Sequence, residues 1–150
     1  MQAQFTERAR QAEREFARRL RESNTGRLFG FELEAAEAGR AVLAMRVRPK
    51  HRQVHGVVHG GVLAALADTA AGIAVYMTVP RGTRVATIEM KINYLEPVEK
   101  GTVVAEARVL RCGQTTAVAE CELREGPQRL VAKALLTFSI GRTTPRETRG

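Results

Sequence analysis

The chain predicts an α+β fold, with one antiparallel sheet wrapped around an apolar helix and an amphipathic helix ahead of both. Three observations lead there. Residues 62–77 form the longest apolar run, and a helix that is apolar nearly all round must be covered on most sides. Two segments before that run and four after it alternate between apolar and polar residues with a period of two. The 150 residues suit a single domain with a modest core.

Taken in order, residues 6–22 read as an amphipathic helix. Ala9, Ala12, Phe16 and Leu20 line a narrow apolar stripe, Thr6 is the expected N-cap, and Ser23 to Gly26 end the helix. Phe31 to Ala35 alternate, a turn follows at Glu37 to Gly39, and Ala41, Leu43, Met45 and Val47 alternate in turn, which makes a hairpin stopped by Pro49. A loop over 49–58 leads into the apolar helix at about 59–77, closed by Pro80 to Gly82. Strands are expected at roughly 84–95, 102–111, 115–124 and 129–140. In the last of these, Leu130, Ala132, Ala134, Leu136, Phe138 and Ile140 share one face. The expected organisation is a helix over 1–24, a sheet-and-helix domain over 25–141 and a polar tail over 142–150.

Composition narrows the function. Lys and Arg number 24 against 16 Asp and Glu, a formal charge of +8 carried almost wholly by arginine. Such a surface suits nucleic acid, acidic membranes or a polyanionic small molecule such as a nucleotide or coenzyme A. The cations are spread out, however, and the densest group, Arg8 to Arg27, is interleaved with Glu7, Glu13, Glu15 and Glu22 as on a solvated helix face. Nucleic-acid binding would want a basic stripe with aromatic platforms, but Phe and Tyr are few and Trp is absent. The apolar run falls short of the roughly 20 residues that span a bilayer. The start lacks the layout of a secretory signal, so a cytoplasmic protein with no membrane partner is expected. Cys112 and Cys121 fall on neighbouring strands but give no disulfide scaffold and no zinc pattern.

The main chemical signal is Asp68, the only aspartate, in the middle of the apolar run. An ionised carboxylate buried without a partner costs several kcal/mol, so sequences keep one there when it is paired or used. Just upstream, His59-Gly60-Gly61 places two glycines where the helix begins, with exposed backbone N–H groups at its positive end. An acid in a helix and N–H donors at that helix's start suit chemistry on a carbonyl. His51, His55 and His59 are spaced by four, but no carboxylate or Cys accompanies them in the loop, so no metal site is expected.

The segment Val58-His-Gly-Gly-Val-Leu-Ala-Ala-Leu-Ala-Asp-Thr-Ala70 resembles the signature of the PaaI-like (phenylacetic acid degradation) family of hotdog-fold acyl-CoA thioesterases. Thr87-Ile-Glu-Met-Lys-Ile-Asn-Tyr-Leu-Glu-Pro97 resembles that family's central strand and following turn, and the element order matches a hotdog domain over roughly residues 25–140. The resemblance implies hydrolysis of an aryl- or medium-chain acyl-CoA thioester, the two acyl classes both staying open, without cofactor or metal, in a homodimer at least and usually a homotetramer. It gives Asp68 the role of catalytic acid, Gly60 that of the backbone N–H donor to the thioester carbonyl, and His59 that of the motif histidine, with Gly61 beside them at the substrate. Gln53 falls where the family places an Asn or Gln that orients water or substrate, and Thr87 where some relatives carry a hydroxyl. Gly72 departs from relatives that hold water with a threonine there, which leaves water positioning to Thr87 or Gln53.

The chemistry asks for these residue types. A thioester carbonyl becomes an oxyanion on attack, and a backbone N–H at a helix N-terminus is fixed and dipole-assisted. Glycine at 60 and 61 lets backbone approach a ligand. Asp68 lies roughly 12 Å along the helix from Gly60 at 1.5 Å per residue, which favours a site shared between subunits. The carboxylate serves either as general base for water or as nucleophile forming an anhydride, and both stay open. Outside this reading stand a non-catalytic acyl-CoA-binding protein, which would lack the helix acid, and a dehydratase of the same fold, which would need a proline-rich loop that His51 to Val58 does not provide.

Overall fold

The chain runs α1 (Gln2–Glu22), α2 (Asn24–Phe29), β1 (Phe31–Glu37), β2 (Arg40–Arg46), a 3-10 turn (Pro49–His51), α3 (Gly60–Tyr76), β3 (Arg84–Tyr94), β4 (Thr102–Cys112), β5 (Thr116–Glu125) and β6 (Arg129–Gly141). The structure is a computed structural model that describes the backbone of residues 2–141 and the side chains of residue 7 and residues 10–141. The polar tail expected over 142–150, and the side chains of Thr6 and Ala9, lie outside the described residues.

The six strands form one antiparallel sheet in the order β1-β2-β4-β5-β6-β3. Helix α3 touches every strand of it. Six strands spaced by about 4.8 Å span roughly 24 Å, whereas a helix with its side chains is about 10 Å across. The sheet must therefore bend around α3 for one helix to reach both of its edges. Alanines make the close approach possible: Ala67, Ala70, Ala71 and Ala74 are fully buried, among Leu66, Val75 and the strand residues Leu43, Val103, Ala105, Leu123 and Leu136. The opposite side of α3, with Val62, Ala65, Asp68, Thr69, Gly72 and Tyr76, is only half-buried.

Helix α1 begins at Gln2, so Thr6 stands within it and does not cap it. The break expected at Ser23 to Gly26 is a junction between two helices. The Ser23 hydroxyl accepts from the Gly26 N–H at 2.9 Å and caps the short α2. Gly26 ends nothing: a Cβ there would lie 1.8 Å from the Leu20 carbonyl oxygen, so glycine is what lets α2 fold back onto α1. Gly30, left-handed at φ 70°, closes α2 and starts the sheet.

The strands match the alternating segments to within one or two residues, with bulges that the alternation does not announce. On β6, Ala132, Ala134, Leu136 and Phe138 share the buried face, but an irregularity opposite Leu123 and Arg124 inserts Val131, which is buried while Leu130 is only half-buried. On β3, pairing with β6 slips between Thr87 and Glu89, leaving Ile88 as the extra residue. That bulge changes which residues face inward, from Val85 before it to Met90 and Ile92 after it. Cys112 is exposed and Cys121 buried, and both are free thiols. Burial pushes the Cys121 thiol up to about 12, which makes it an inert core residue.

Candidate active site

The start of α3 is held by a loop with its own internal hydrogen bonds. Arg52 bridges Val58, the Gln53 N–H donates to the Val57 carbonyl at 2.8 Å, and the Gly56 N–H donates to the Gln53 carbonyl at 2.9 Å with Gly56 at φ 84°. The loop of 49–58 is thus a small hairpin. Its base is His51, 2 % exposed, whose Nδ1 accepts the Arg48 N–H at 3.0 Å and whose carbonyl accepts the His59 N–H at 2.8 Å. The bond at Nδ1 puts the ring proton on Nε2, which is buried without a hydrogen-bond partner among the described residues. Burial first, then the charges of Lys50 and Arg48, hold the His51 pKa below the ordinary histidine value, while the nearby Phe29 carbonyl offsets part of this. His51 is therefore a neutral structural residue at the root of the loop.

The first N–H groups of a helix have no partner within it, and in α3 nearly all of them find one elsewhere. That of His59 goes to the His51 carbonyl, that of Gly61 to His59 Nδ1 at 2.9 Å, and that of Val62 to the His59 carbonyl at 2.9 Å. The Gly60 N–H alone of these four has no partner among the described residues. Tyr94, at the end of β3, packs against Gly60 itself: the Tyr94 hydroxyl donates to the Gly60 carbonyl at 2.9 Å, and a Cβ on Gly60 would sit 2.9 Å from Tyr94 Cζ. Glycine at 60 thus accommodates the Tyr94 ring beside a positively polarised N–H that has no partner among the described residues.

Two turns along the helix, Asp68 is half-buried and its Oδ1 accepts the Thr87 hydroxyl at 2.7 Å. Thr87 points there because it precedes the bulge at Ile88, on the stretch of β3 that faces α3. Bulges beside functional sites commonly re-aim a side chain in this way. The pair stands at the edge of a cleft of about 250 Å³, lined further by Thr69, Gly72, Ile73, Val85 and Phe138. The structure brings Asp68 and Thr87 together in one group, and His59, Gly60 and Gly61 in another at the helix start. Gln53 turns back on its own loop, where its Oε1 accepts the His55 N–H at 2.6 Å. Among the described residues no group of three His, Cys, Asp or Glu side chains is placed to hold a metal ion.

The sequence model of the Thioesterase superfamily matches residues 55–132, a stretch that contains Gly60, Asp68, Thr87 and Tyr94. The chain belongs to this superfamily. It is 32% identical over 130 residues to the medium/long-chain acyl-CoA thioesterase YigI of Salmonella typhimurium, an alignment that covers 77% of this chain and 84% of that one. It is 30% identical over 111 residues to the 1,4-dihydroxy-2-naphthoyl-CoA hydrolase of Listeria monocytogenes, covering 74% and 90%. Among solved structures, the Escherichia coli PaaI protein of the phenylacetic acid degradation operon superposes with a TM-score of 0.81 at 25% identity, over 91% of this chain and 97% of that one. The protein is a hotdog-fold thioester hydrolase.

Two residues of this thioesterase sit at the site without having stood out in the sequence. Tyr94 lies within the quoted strand segment, but only its hydrogen bond to Gly60 across 34 positions singles it out. Phe16 reads as part of a helix stripe, yet it lines the same cleft as Asp68. No sequence signal marks either contact, since both depend on how distant elements pack. Among the described residues, no helix is long and apolar enough to cross a membrane.

Proposed function

We propose that this thioesterase hydrolyses acyl-CoA thioesters, with Asp68 as general base or nucleophile and the Gly60 N–H as oxyanion donor. The observation that carries this reading is the pairing of one uncommitted donor with one helix acid: the Gly60 N–H at the start of α3, and Asp68 over an apolar cleft. An oxyanion donor acts when it is fixed before the charge develops, and a backbone N–H anchored by the His51–His59 contact and by Tyr94 meets that requirement. Thr87 orients the carboxylate. His59 acts chiefly as the helix cap, since its Nδ1 is occupied by the Gly61 N–H. The coenzyme A part of the substrate is supported by the activities of the two relatives and by the formal charge of +8.

Gly60 and Asp68 are eight residues apart on one helix, roughly 12 Å along its axis. One carbonyl cannot touch both within a single chain, so a working site takes its acid from one protomer and its donor from a second. The edge strand β3 suits the docking of that second copy. It ends the sheet, and Ile88 (58%), Tyr94 (50%) and the following Leu95 (51%) are large apolar side chains exposed along it. Unpaired strand edges of this length pair readily with another chain. Gln53, in the loop before α3, would turn from its His55 contact towards that copy's acid and help place water.

A panel of acyl-CoA substrates with thiol release as readout tests the activity. Mixing Asp68→Asn protein with Gln53→Ala protein tests the sharing. If each alone is inactive, exchanged dimers regain one intact site and a fraction of the wild-type rate. No recovery despite measured subunit exchange would count against a shared site, and no release from any acyl-CoA would count against the substrate class.

A further inference from the structure

Helix α1 contributes a wall to the cleft that holds Asp68. Phe16 lines it together with Tyr76 of α3, and the two rings meet edge to face with centroids 5.3 Å apart and planes at 70°. Two contacts just before Phe16 tie this part of α1 to the domain. Glu13 Oε1 accepts the Ala36 N–H of β1 at 3.3 Å, and Glu15 pairs with Arg81 in the connection after α3. The aromatic pair thus sits where α1 is tied to both β1 and the connection after α3.

The cleft runs in one direction. Asp68, Gly72 and Tyr76 follow one another on successive turns of α3, and the distance from first to last is roughly 12 Å at 1.5 Å per residue. At the Asp68 end the polar hydroxyls are already committed: Thr87 donates to Asp68, and Thr69 donates to the Ala65 carbonyl at 2.7 Å. Past that end the lining is apolar, with Gly72, Ile73, Val85 and Phe138. Gly72 leaves space there, since a Cβ on it would come within 3.7 Å of the Phe138 ring. The Phe16–Tyr76 pair stands at the far end.

We propose that this cleft is the acyl-chain site, that Phe16 and Tyr76 form its end wall, and that the wall makes unbranched, apolar acyl groups of medium length the preferred substrates. The inference rests on the acyl-CoA hydrolase reading and adds to it the class of acyl group and the residue that limits its length. A thioester carbonyl held beside Asp68 directs its chain down the groove towards Tyr76, and a length comparable to a medium alkyl chain fills it. Each methylene added within the groove raises kcat/KM by about fourfold through burial. A methylene beyond the wall must displace the aromatic pair, so the profile turns down.

The test is kcat/KM for saturated acyl-CoA esters from butyryl to palmitoyl. The wild-type protein should rise to a maximum at medium length and then fall. Phe16→Ala should raise the ratio of palmitoyl to octanoyl by about tenfold or more, the scale on which apolar pockets discriminate single methylenes. Phe16→Trp should move the maximum to shorter chains. Should Phe16→Ala fail to fold, Phe16→Leu trims the ring without emptying the site and should shift the ratio in the same direction. Arg18→Ala, at an exposed residue of α1 paired with Glu22, should keep the wild-type ratio. Ratios unmoved in the Phe16 variants, with hydrolysis persisting, would overturn the end wall while leaving the activity intact. An equal shift in Arg18→Ala would overturn it too, by showing an effect of α1 as a whole. Failure of the wild-type protein on every ester would instead remove the acyl-CoA reading and the wall with it.

Discussion

At its N-terminus α3 presents a backbone N–H, and at its middle a carboxylate, and the two are held by different kinds of contact. The Gly60 donor is placed by main-chain bonds from His51, by the His59 cap and by Tyr94 across its face. Asp68 is placed by one threonine hydroxyl beside a cleft of mostly apolar side chains. The helix start therefore depends on shape, because many contacts jointly aim a group that every residue but proline carries. In the proposed function the helix middle depends on identity, because one side chain supplies chemistry that few others can. Substitutions at the two places should accordingly fail in different ways.

The largest expected effect is at the acid. Asp68→Asn keeps an oxygen to accept the Thr87 hydroxyl and removes only charge and basicity. It should lower kcat by about 10² to 10⁴, the usual worth of a general base, with little change in Tm. A kcat near wild type would remove Asp68 from the mechanism. Next comes the donor. In Gly60→Ala the new Cβ would lie 2.9 Å from Tyr94 Cζ, so the ring or the helix start must shift. A fall of up to about 10² in kcat is expected, as for a displaced oxyanion donor. Gly60→Ala combined with Tyr94→Ala should recover part of it, and a double variant no better than the single would show that the clash is not the cause.

Thr87→Val tests how far the acid depends on its one hydrogen bond. Losing a hydrogen bond to a charged group is worth about tenfold in this setting, and the loss should appear in kcat more than in KM. The smallest effect separates cap from catalyst. His59→Ala should destabilise the fold by about 1 kcal/mol, the usual worth of an N-cap, measured by urea unfolding. His59→Asn, which can accept the same Gly61 N–H, should restore both stability and most of the activity. A stable His59→Asn protein with kcat as low as that of Asp68→Asn would give the histidine a direct chemical part.

Asp68, Gly60 and His59 were legible in the sequence because each breaks a local pattern: a single acid in an apolar run, and two glycines behind a histidine at a helix start. Thr87 came only through the family resemblance, and its bond to Asp68 confirms proximity without assigning the role. Tyr94 and Phe16 were not legible as site residues, because their contacts reach Gly60 and the cleft from a distant strand and a distant helix. Gly26 misled for a related reason. A glycine after a helix reads as a stop by default, and only the 1.8 Å approach of its absent Cβ to the Leu20 carbonyl oxygen shows that it serves packing.

By itself the sequence determined the α+β class, the order and approximate bounds of the strands, and an apolar helix that carries a single acid behind two glycines. These follow from periodicity and local chemistry, which act over a few residues and are written where they act. The tertiary structure decided what no local pattern carries. It set the strand order that brings β3 beside β6, the bulge at Ile88 that leaves Thr87 aimed at Asp68, the contacts that leave the Gly60 N–H without a partner among the described residues, and the seat of Phe16 in the wall of the cleft. Each of these joins residues far apart in the chain, and such contacts are settled when the elements pack together and the sheet bends around the helix.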